Sequence, residues 1–422
     1  MASDRPAAVP LTRQLTSHLD QFVDAMAEVN GEADFGAKVD HSLVQNSAKF
    51  RFLVGEATDI GGGAVNQDTY TVFRTGANKE NLVLAVFDGH GRELGELAAI
   101  VARDKIRELL LQDDVMQKVQ DDPKSTLKNV FEAAHQEIKT QFHKRYTEAN
   151  FQVRESTRGY LMKRKPGAST WTCTHGGTTA TVVIIFGATN NMVVANVGDS
   201  TALFGGVGAY QDIVFQELSA EHSPESVEEF KRVRADLPDE SGRMPVMRFV
   251  YDSPSTSKHS CPPIFEVNEN DVEDVRVSGQ GSYYKSVRNE WATLVTTPPD
   301  AWFQDALAFT RSLGDLHLHV YGVSSEPEVR EYDLAEFHKG ACNNDKMVSC
   351  LLVCTDGVWD NWKYNDIIEA SMTADMIDGA IGTEDGQSSC AKLMEANKTL
   401  AVQHFGNQAD NMTAILVYIV EA

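Results

Sequence analysis

From about residue 50 onward, the apolar positions of the chain gather into short runs of strand length. These runs cover 51–57, 69–74, 81–87, 180–186, 191–197, 200–204, 348–355 and 412–420. Each is rich in Val, Ile, Leu or Phe, alternating or unbroken, as half-buried and fully buried strands require. Between them the apolar spacing changes to three and four residues. Leu94, Leu97, Ala98, Val101, Ile106 and Leu109 predict a helix over 93–111, and Leu127, Val130, Phe131, Ala134, Ile138 and Phe142 predict another over 124–145. Further helices are expected at 364–373, 388–404 and 223–235. Leu15, Leu19, Phe22, Val23 and Met26 mark an amphipathic helix over 11–29, within an N-terminal extension of residues 1–45. Paired strands followed by paired helices indicate an α+β fold rather than strict βαβ alternation.

Residues 205–306 interrupt this pattern. They hold eight prolines together with many charged and small polar residues. So long an irregular segment within a compact domain is functional or disordered. Its aromatic residues, Phe249, Tyr251, Phe265, Tyr283, Tyr284, Trp291, Trp302 and Phe303, are too many for a disordered tract and predict an at least partly folded insert. The main domain is expected to span 46–422 with this flap-like insert inside it.

Composition narrows the function. Asp and Glu outnumber Lys and Arg by 61 to 38, a formal charge of −23, which disfavours nucleic acid and anionic membrane as partners. No apolar run approaches the roughly 20 residues that span a bilayer, and Met1 to Pro6 has no apolar signal region. Cysteines at 173, 261, 342, 350, 354 and 390 form no Cys-x-x-Cys pair, so neither a disulfide framework nor a structural zinc is expected. The expected location is the cytoplasm, with the nucleus left open.

The chemistry is carried by aspartates at the ends of apolar runs. Asp88 follows Leu82 to Phe87, Asp199 follows Val193 to Gly198, Asp356 follows Leu351 to Thr355, and Asp410 precedes Met412 to Val417. Carboxylates converging on one point repel each other unless a cation sits among them, and an oxygen-only cluster suits Mg²⁺ or Mn²⁺. Asp88-Gly89-His90-Gly91 presents an imidazole beside a carboxylate. Asp356 and Asp360 are spaced by four, so one turn of helix or a tight loop would place both on one side. Gly176-Gly177-Thr178-Thr179 lacks the lysine and following helix of a nucleotide-binding loop.

Taken in order, Asn66-Gln67-Asp68, Asp88-Gly89-His90-Gly91, Gly177-Thr178-Thr179-Ala180, Val197-Gly198-Asp199-Ser200, Thr310-Arg311-Ser312-Leu313-Gly314-Asp315, Gly322 to Val329, Asp356 to Asp360 and Asp410-Asn411-Met412-Thr413 resemble the metal-dependent protein serine/threonine phosphatases of type 2C, the PPM family. The resemblance covers about residues 50–420 and is strongest to eukaryotic, plant-type members. It implies a four-layer α-β-β-α sandwich of two antiparallel sheets flanked by helices. It also implies two Mg²⁺ or Mn²⁺ ions, with a third, weaker position.

By motif, Asp88 would bridge the ions and Gly89 would bind through its carbonyl. Asp356 and Asp410 would hold one ion, and Asp68 the other, mostly through water. Asp199 and Asp360, with Asp356, match the third position. His90 matches the general acid, and a metal-bridged water would attack phosphorus without a phosphoenzyme. The implied substrates are phosphoserine and phosphothreonine proteins, acted on by a monomer. Gly63 stands where many members carry a phosphate-gripping arginine, and Arg92 is the candidate substitute. Gln67 replaces a glutamate often found just before the aspartate. The alternative reading is a pseudophosphatase, a binding module that keeps the fold with little turnover. Gly63 and the long insert favour it, and the retained aspartates and His90 oppose it.

Overall fold

The computed structural model describes residues 49–208, 210–342 and 347–421. The helix expected over 11–29 lies outside them. Ten strands build two five-stranded antiparallel sheets. In chain order they are β1 (Phe50–Asp59), β2 (Thr69–Thr75), β3 (Asn81–Phe87), β4 (Ala180–Ile185), β5 (Asn191–Val197), β6 (Thr201–Val207), β7 (Ile213–Glu217), β8 (Glu328–Asp333), β9 (Val348–Cys354) and β10 (Met412–Glu421). One sheet runs β1-β10-β9-β6-β7 and the other β8-β5-β4-β3-β2.

The helices are α1 (Gly95–Leu110), α2 (Asp113–Asp121), α3 (Pro123–Glu148), α4 (Val227–Asp236), α5 (Leu334–Ala341), α6 (Asp356–Trp359), α7 (Tyr364–Ser371), α8 (Ala374–Thr383) and α9 (Gln387–Phe405). Pro123 begins α3 with its missing N–H at a position that needs none, and Asp122 caps it by accepting from Ser125 N at 3.2 Å.

The unbroken apolar runs follow from burial on both strand faces. Leu82, Leu84 and Val86 of β3 pack between the sheets with Val183, Val194, Phe204, Val353, Ile415 and Val417. The intervening Val83, Ala85 and Phe87 face outward under α1 and α3. On β10, Ala414, Leu416 and Tyr418 likewise face outward, under α7, α8 and α9. Three apolar clusters therefore separate four layers, helix–sheet–sheet–helix, as expected for the α-β-β-α sandwich.

The insert has its own core. Phe230, Val233, Met247, Phe249, Tyr251, Ile264, Phe265 and Val295 pack together, joined by Leu318 and Tyr321 from the chain that follows. A three-stranded sheet carries part of this cluster, with Arg248–Tyr251 paired to Thr293–Thr296 and that strand to Ala306–Leu307. Residues 205–207 and 213–217, which the sequence pattern assigns to the insert, belong instead to the first sheet as the end of β6 and as β7. Ser226 caps α4 by accepting from Glu229 N at 3.2 Å. The Glu229 carboxylate then joins Arg311 and Arg232 and accepts from Thr310 Oγ1 at 2.5 Å, tying the insert to the Thr310–Asp315 segment.

Candidate active site

Register brings the aspartates to one end of the sandwich. β2 and β3 pair with Thr69 opposite Phe87, so Asp68 and Asp88, one residue beyond each strand, emerge side by side. Cys354 lies opposite both Ala414 of β10 and Thr201 of β6, so Asp356, Asp410 and Asp199 leave their strands at a shared edge. Asp360 follows one turn later, its N–H donating to Asp356 O at 2.7 Å. The two sheets meet where Thr355 Oγ1 donates to Asp68 Oδ2 at 2.8 Å.

Side chains around the cluster hold the motifs to one another. Asn411 Oδ1 accepts from Gln67 N at 2.8 Å, and Asn411 Nδ2 donates to Ile60 O at 2.8 Å, so the last strand's entry fixes the Asn66-Gln67-Asp68 turn. Thr179 receives Asp88 N on its hydroxyl at 3.1 Å and shares a 2.7 Å hydrogen bond with Ser200. The Gly177–Thr179 and Asp199–Ser200 motifs thereby position Asp88. A Cβ on Gly89 would lie 2.4 Å from Gln67 O, so only glycine lets these two turns approach.

The electrostatics are those of crowded, buried carboxylates. Burial, then Asp68, Asp356, Asp410 and Asp199, push the Asp88 carboxyl well above its usual range. Burial pushes Asp68 to about 7, with the Thr355 hydrogen bond opposing and Asp410 adding to the rise. Burial and then Asp356 push Asp199 to about 7, and burial and then Asp410 push Asp356 to about 6. Asp360 rises through burial and then Asp356. Asp68 Oδ1, Asp199 Oδ1 and Asp356 Oδ1 are buried with no hydrogen-bond partner. Such oxygens are costly to leave unpaired, and a hard divalent cation would satisfy them. The all-oxygen donor set therefore fits Mg²⁺ or Mn²⁺.

A cation supplied by the chain itself also faces this cluster. Lys285 Nζ lies 2.9 Å from Glu221 Oε1 and 3.8 Å from Asp199 Oδ2. Burial opposes its charge, but Glu221, Asp199 and Asp360 outweigh it and hold the ammonium well above its usual range. The segment carrying Lys285 is docked on the Asp356 turn, with Val287 N donating to Asp360 O at 3.1 Å and Arg288 donating to Trp359 O. Sequence reading missed Lys285, because nothing local distinguishes it within the insert.

His90 sits beside Asp88 and pairs with a residue to which the sequence assigned no role. Its Nε2 is 2.7 Å from Asp315 Oδ2, which also accepts from Ser312 Oγ at 2.7 Å. Burial would lower the His90 pKa, but the Asp315 carboxylate outweighs it and raises it. A Cβ on Gly177 would lie 2.1 Å from the Asp315 carboxylate, so this glycine makes room for the pair. The Thr310–Asp315 motif was visible in the sequence, but Asp315's contact spans 225 positions. Arg311 of the same motif is committed to Glu229.

Arg92 is exposed in the turn between His90 and α1 and has no ion-pair partner among the described residues. At Gly63 an added Cβ would meet only Asn411 Nδ2 and Val65 O at 3.5 Å and Ile60 O at 3.6 Å, all ordinary contacts. Sterics therefore do not explain the missing arginine.

Comparison with known proteins agrees with this geometry. Residues 64–247 match the family model for protein phosphatase 2C. Probable protein phosphatase 2C 35 of Arabidopsis thaliana is 24% identical, over 84% of this chain and 78% of its own length. The mitochondrial protein phosphatase 1K of Xenopus laevis is 26% identical, over 86% of this chain and 67% of its own. In fold, the chain resembles the serine-threonine phosphatase 2C of Toxoplasma gondii with a TM-score of 0.54 and 16% identity, covering 89% of this chain and 96% of that one. The likeness to protein phosphatase 2C is thus carried by residues 64–247, and the fold across most of the chain is the one seen in the Toxoplasma gondii serine-threonine phosphatase 2C.

Proposed function

We propose that this chain hydrolyses phosphoserine and phosphothreonine in proteins, using two Mg²⁺ or Mn²⁺ ions. The observation that carries the reading is the convergence of Asp68, Asp88, Asp199, Asp356, Asp360 and Asp410 at one end of the sandwich, with three of their buried oxygens unpartnered. Asp88 would serve both ions, the Gly89 carbonyl would add a ligand beside it, Asp356 and Asp410 would hold one ion, and Asp68 the other. When bound, the ions supply a nucleophilic water at neutral pH and neutralise the phosphate. The ester P–O bond breaks as the water oxygen bonds phosphorus, and the leaving seryl or threonyl oxygen needs a proton. The proton held between His90 Nε2 and Asp315 is the available one, with Asp315 keeping the imidazole charged and oriented.

Lys285 supports a refinement at the third, weaker position. Its ammonium stands against Asp199 and faces Asp360, so we assign to the insert's own cation the charge that a third ion would bring. Arg92, exposed and unpaired, remains the candidate for gripping the phosphate in place of an arginine at Gly63.

Among the described residues no helix is long and apolar enough to cross a membrane. All six cysteines are free and buried, which is compatible with a reducing compartment such as the cytoplasm.

The test is phosphopeptide hydrolysis under metal titration. Turnover should vanish in chelator, return with Mg²⁺ or Mn²⁺, and be lost in Asp88→Asn. Tight metal binding with no turnover on any phosphopeptide of a diverse library would establish the pseudophosphatase reading instead.

A further inference from the structure

A second group of metal-ligating side chains lies apart from the acidic cluster. Cys173, His175 and His317 present ligand atoms that all lie within 4.8 Å of one another. Cys173 Sγ is 3.4 Å from His175 Nε2. The two imidazoles meet edge to face with centroids 5.4 Å apart. Asp305 stands behind both rings, its Oδ2 3.2 Å from His175 Nδ1 and 2.8 Å from His317 Nε2.

We propose that Cys173, His175 and His317 bind a zinc ion, with the fourth tetrahedral position left to water and Asp305 orienting the two imidazoles from outside. Zn²⁺ takes thiolate at about 2.3 Å and imidazole at about 2.0–2.1 Å, so tetrahedral ligands stand roughly 3.5 Å apart, close to the spacing of Cys173 and His175. A soft thiolate with two imidazoles selects zinc over the hard Mg²⁺ or Mn²⁺ suited to the aspartates. A carboxylate on the outer nitrogen of a ligating histidine is the usual support of such a site.

The geometry favours an ion over a simple hydrogen-bonded network. His317 is 2% exposed, yet both its ring nitrogens are buried without a hydrogen-bond partner. Its Nε2 has Asp305 Oδ2 at 2.8 Å as an ion-pair neighbour, which leaves Nδ1 to face the ion. Asp305 Oδ1 is already taken, accepting from Ala306 N at 2.9 Å, which leaves Oδ2 for the histidines.

Such an ion would clamp two segments distant in sequence, with the end of the insert held through Asp305. Cys173 lies on the outer strand Thr172–Cys173, paired through Met162 to the hairpin that follows α3. Asp305 closes the insert, its carbonyl accepting from Thr297 N at 3.0 Å. His317 follows two residues after Asp315, the partner of His90. The zinc would thus anchor the insert's end and the loop that positions Asp315. The inference does not depend on the chain being an active phosphatase.

The experiment is elemental analysis of the full chain purified from zinc-supplemented cells, paired with electronic spectra after Co²⁺ substitution. Stoichiometric zinc should survive exchange into excess Mg²⁺, and Co²⁺ should give a thiolate-to-metal charge-transfer band. Cys173→Ser should lose the band, His317→Asn should lose the zinc, and Asp88→Asn/Asp356→Asn should keep both. Should Cys173→Ser fail to fold, His317→Asn and the zinc-dependent protection of Cys173 from alkylation in the wild-type protein decide. Folded wild-type protein without zinc or the charge-transfer band overturns the proposal. So does zinc that disappears with Asp88→Asn/Asp356→Asn but persists in His317→Asn.

Discussion

At the scale of single residues, the proposed site separates into groups that would hold metal and groups that would handle the proton or the phosphate. His90 and Asp315, 2.7 Å apart, are the proposed proton-handling pair. His90→Ala should slow hydrolysis of a phosphoserine peptide about 100-fold or more, the usual worth of a general acid. An activated aryl phosphate, whose leaving group needs no proton, should be cleaved nearly as before. Asp315→Asn should show a smaller loss with the same dependence on leaving group, because it acts through His90. Equal losses on both substrates, measured as kcat, would remove His90 from this role. Arg92 calls for a different readout. If its exposed guanidinium grips phosphate, Arg92→Ala should raise KM for phosphopeptides about ten-fold, equivalent to about 1.4 kcal/mol. Gly63→Arg should restore part of that, since the position has room for a side chain. Unchanged KM in Arg92→Ala would leave the phosphate to the metals alone.

At the scale of elements, the strands buried on both faces were the most legible. Their apolar runs at 81–87 and 191–197 coincide with β3 and β5 to the residue. Edge strands were not, for a physical reason. β8 reads Glu-Val-Arg-Glu-Tyr-Asp, a charged sequence that protects a sheet edge and carries almost no apolar signal. The motif aspartates other than Asp360 were legible because each lies within two residues of a strand end. Asp315's pairing, Lys285 and the Cys173–His317 group were not, because register and insert docking create those contacts across long stretches of chain. The Glu229 network shows how the insert is attached. Burial would raise the Glu229 pKa, but Arg311 and Arg232 outweigh it and hold it far below the usual carboxylate value. A depressed folded-state pKa means stability present above the unfolded value near 4.5 and lost as pH falls below it. Glu229→Gln should therefore cost about 3 kcal/mol near neutrality, as breaking a buried pair does. The difference from wild type should shrink on acidification below about pH 4.5. Denaturant melts at both pH values measure it, and a pH-independent difference would contradict the assignment. Backbone amides at Arg248–Tyr251 and Thr293–Thr296 should also be protected from hydrogen exchange, since they form the paired strands of the insert. Uniformly fast exchange there would mean the insert is not a folded flap.

At the scale of the whole molecule, the sandwich closes around a concentration of negative charge that its hydrophobic layers must overcome. The chain already carries a formal charge of −23, and its most crowded carboxylates lie where the two sheets meet. Lys285 offsets Asp199, Asp360 and Asp356 in part, and burial and Asp410 still leave Asp356 raised. Without metal, ionising the cluster costs stability, and with metal the same charges become ligands. Stability and function should therefore respond in opposite directions to one substitution. At pH 8, above the value of about 6 to which burial and Asp410 raise it, Asp356 is ionised in the metal-free protein. In chelator at that pH, Asp356→Asn should melt above wild type by roughly 2–4 °C, the shift that about 1 kcal/mol produces in a large domain. Adding Mn²⁺ should reverse the order, because an ion at about 100 times its Kd stabilises the binding-competent protein by about 2.7 kcal/mol. Wild type should then melt higher while the variant hardly responds. Thermal melts of the two proteins, with and without Mn²⁺, contain the whole test. If both proteins melt together in chelator and rise together with Mn²⁺, Asp356 neither pays the repulsion nor holds the ion, and the proposed centre would have to be rebuilt without it.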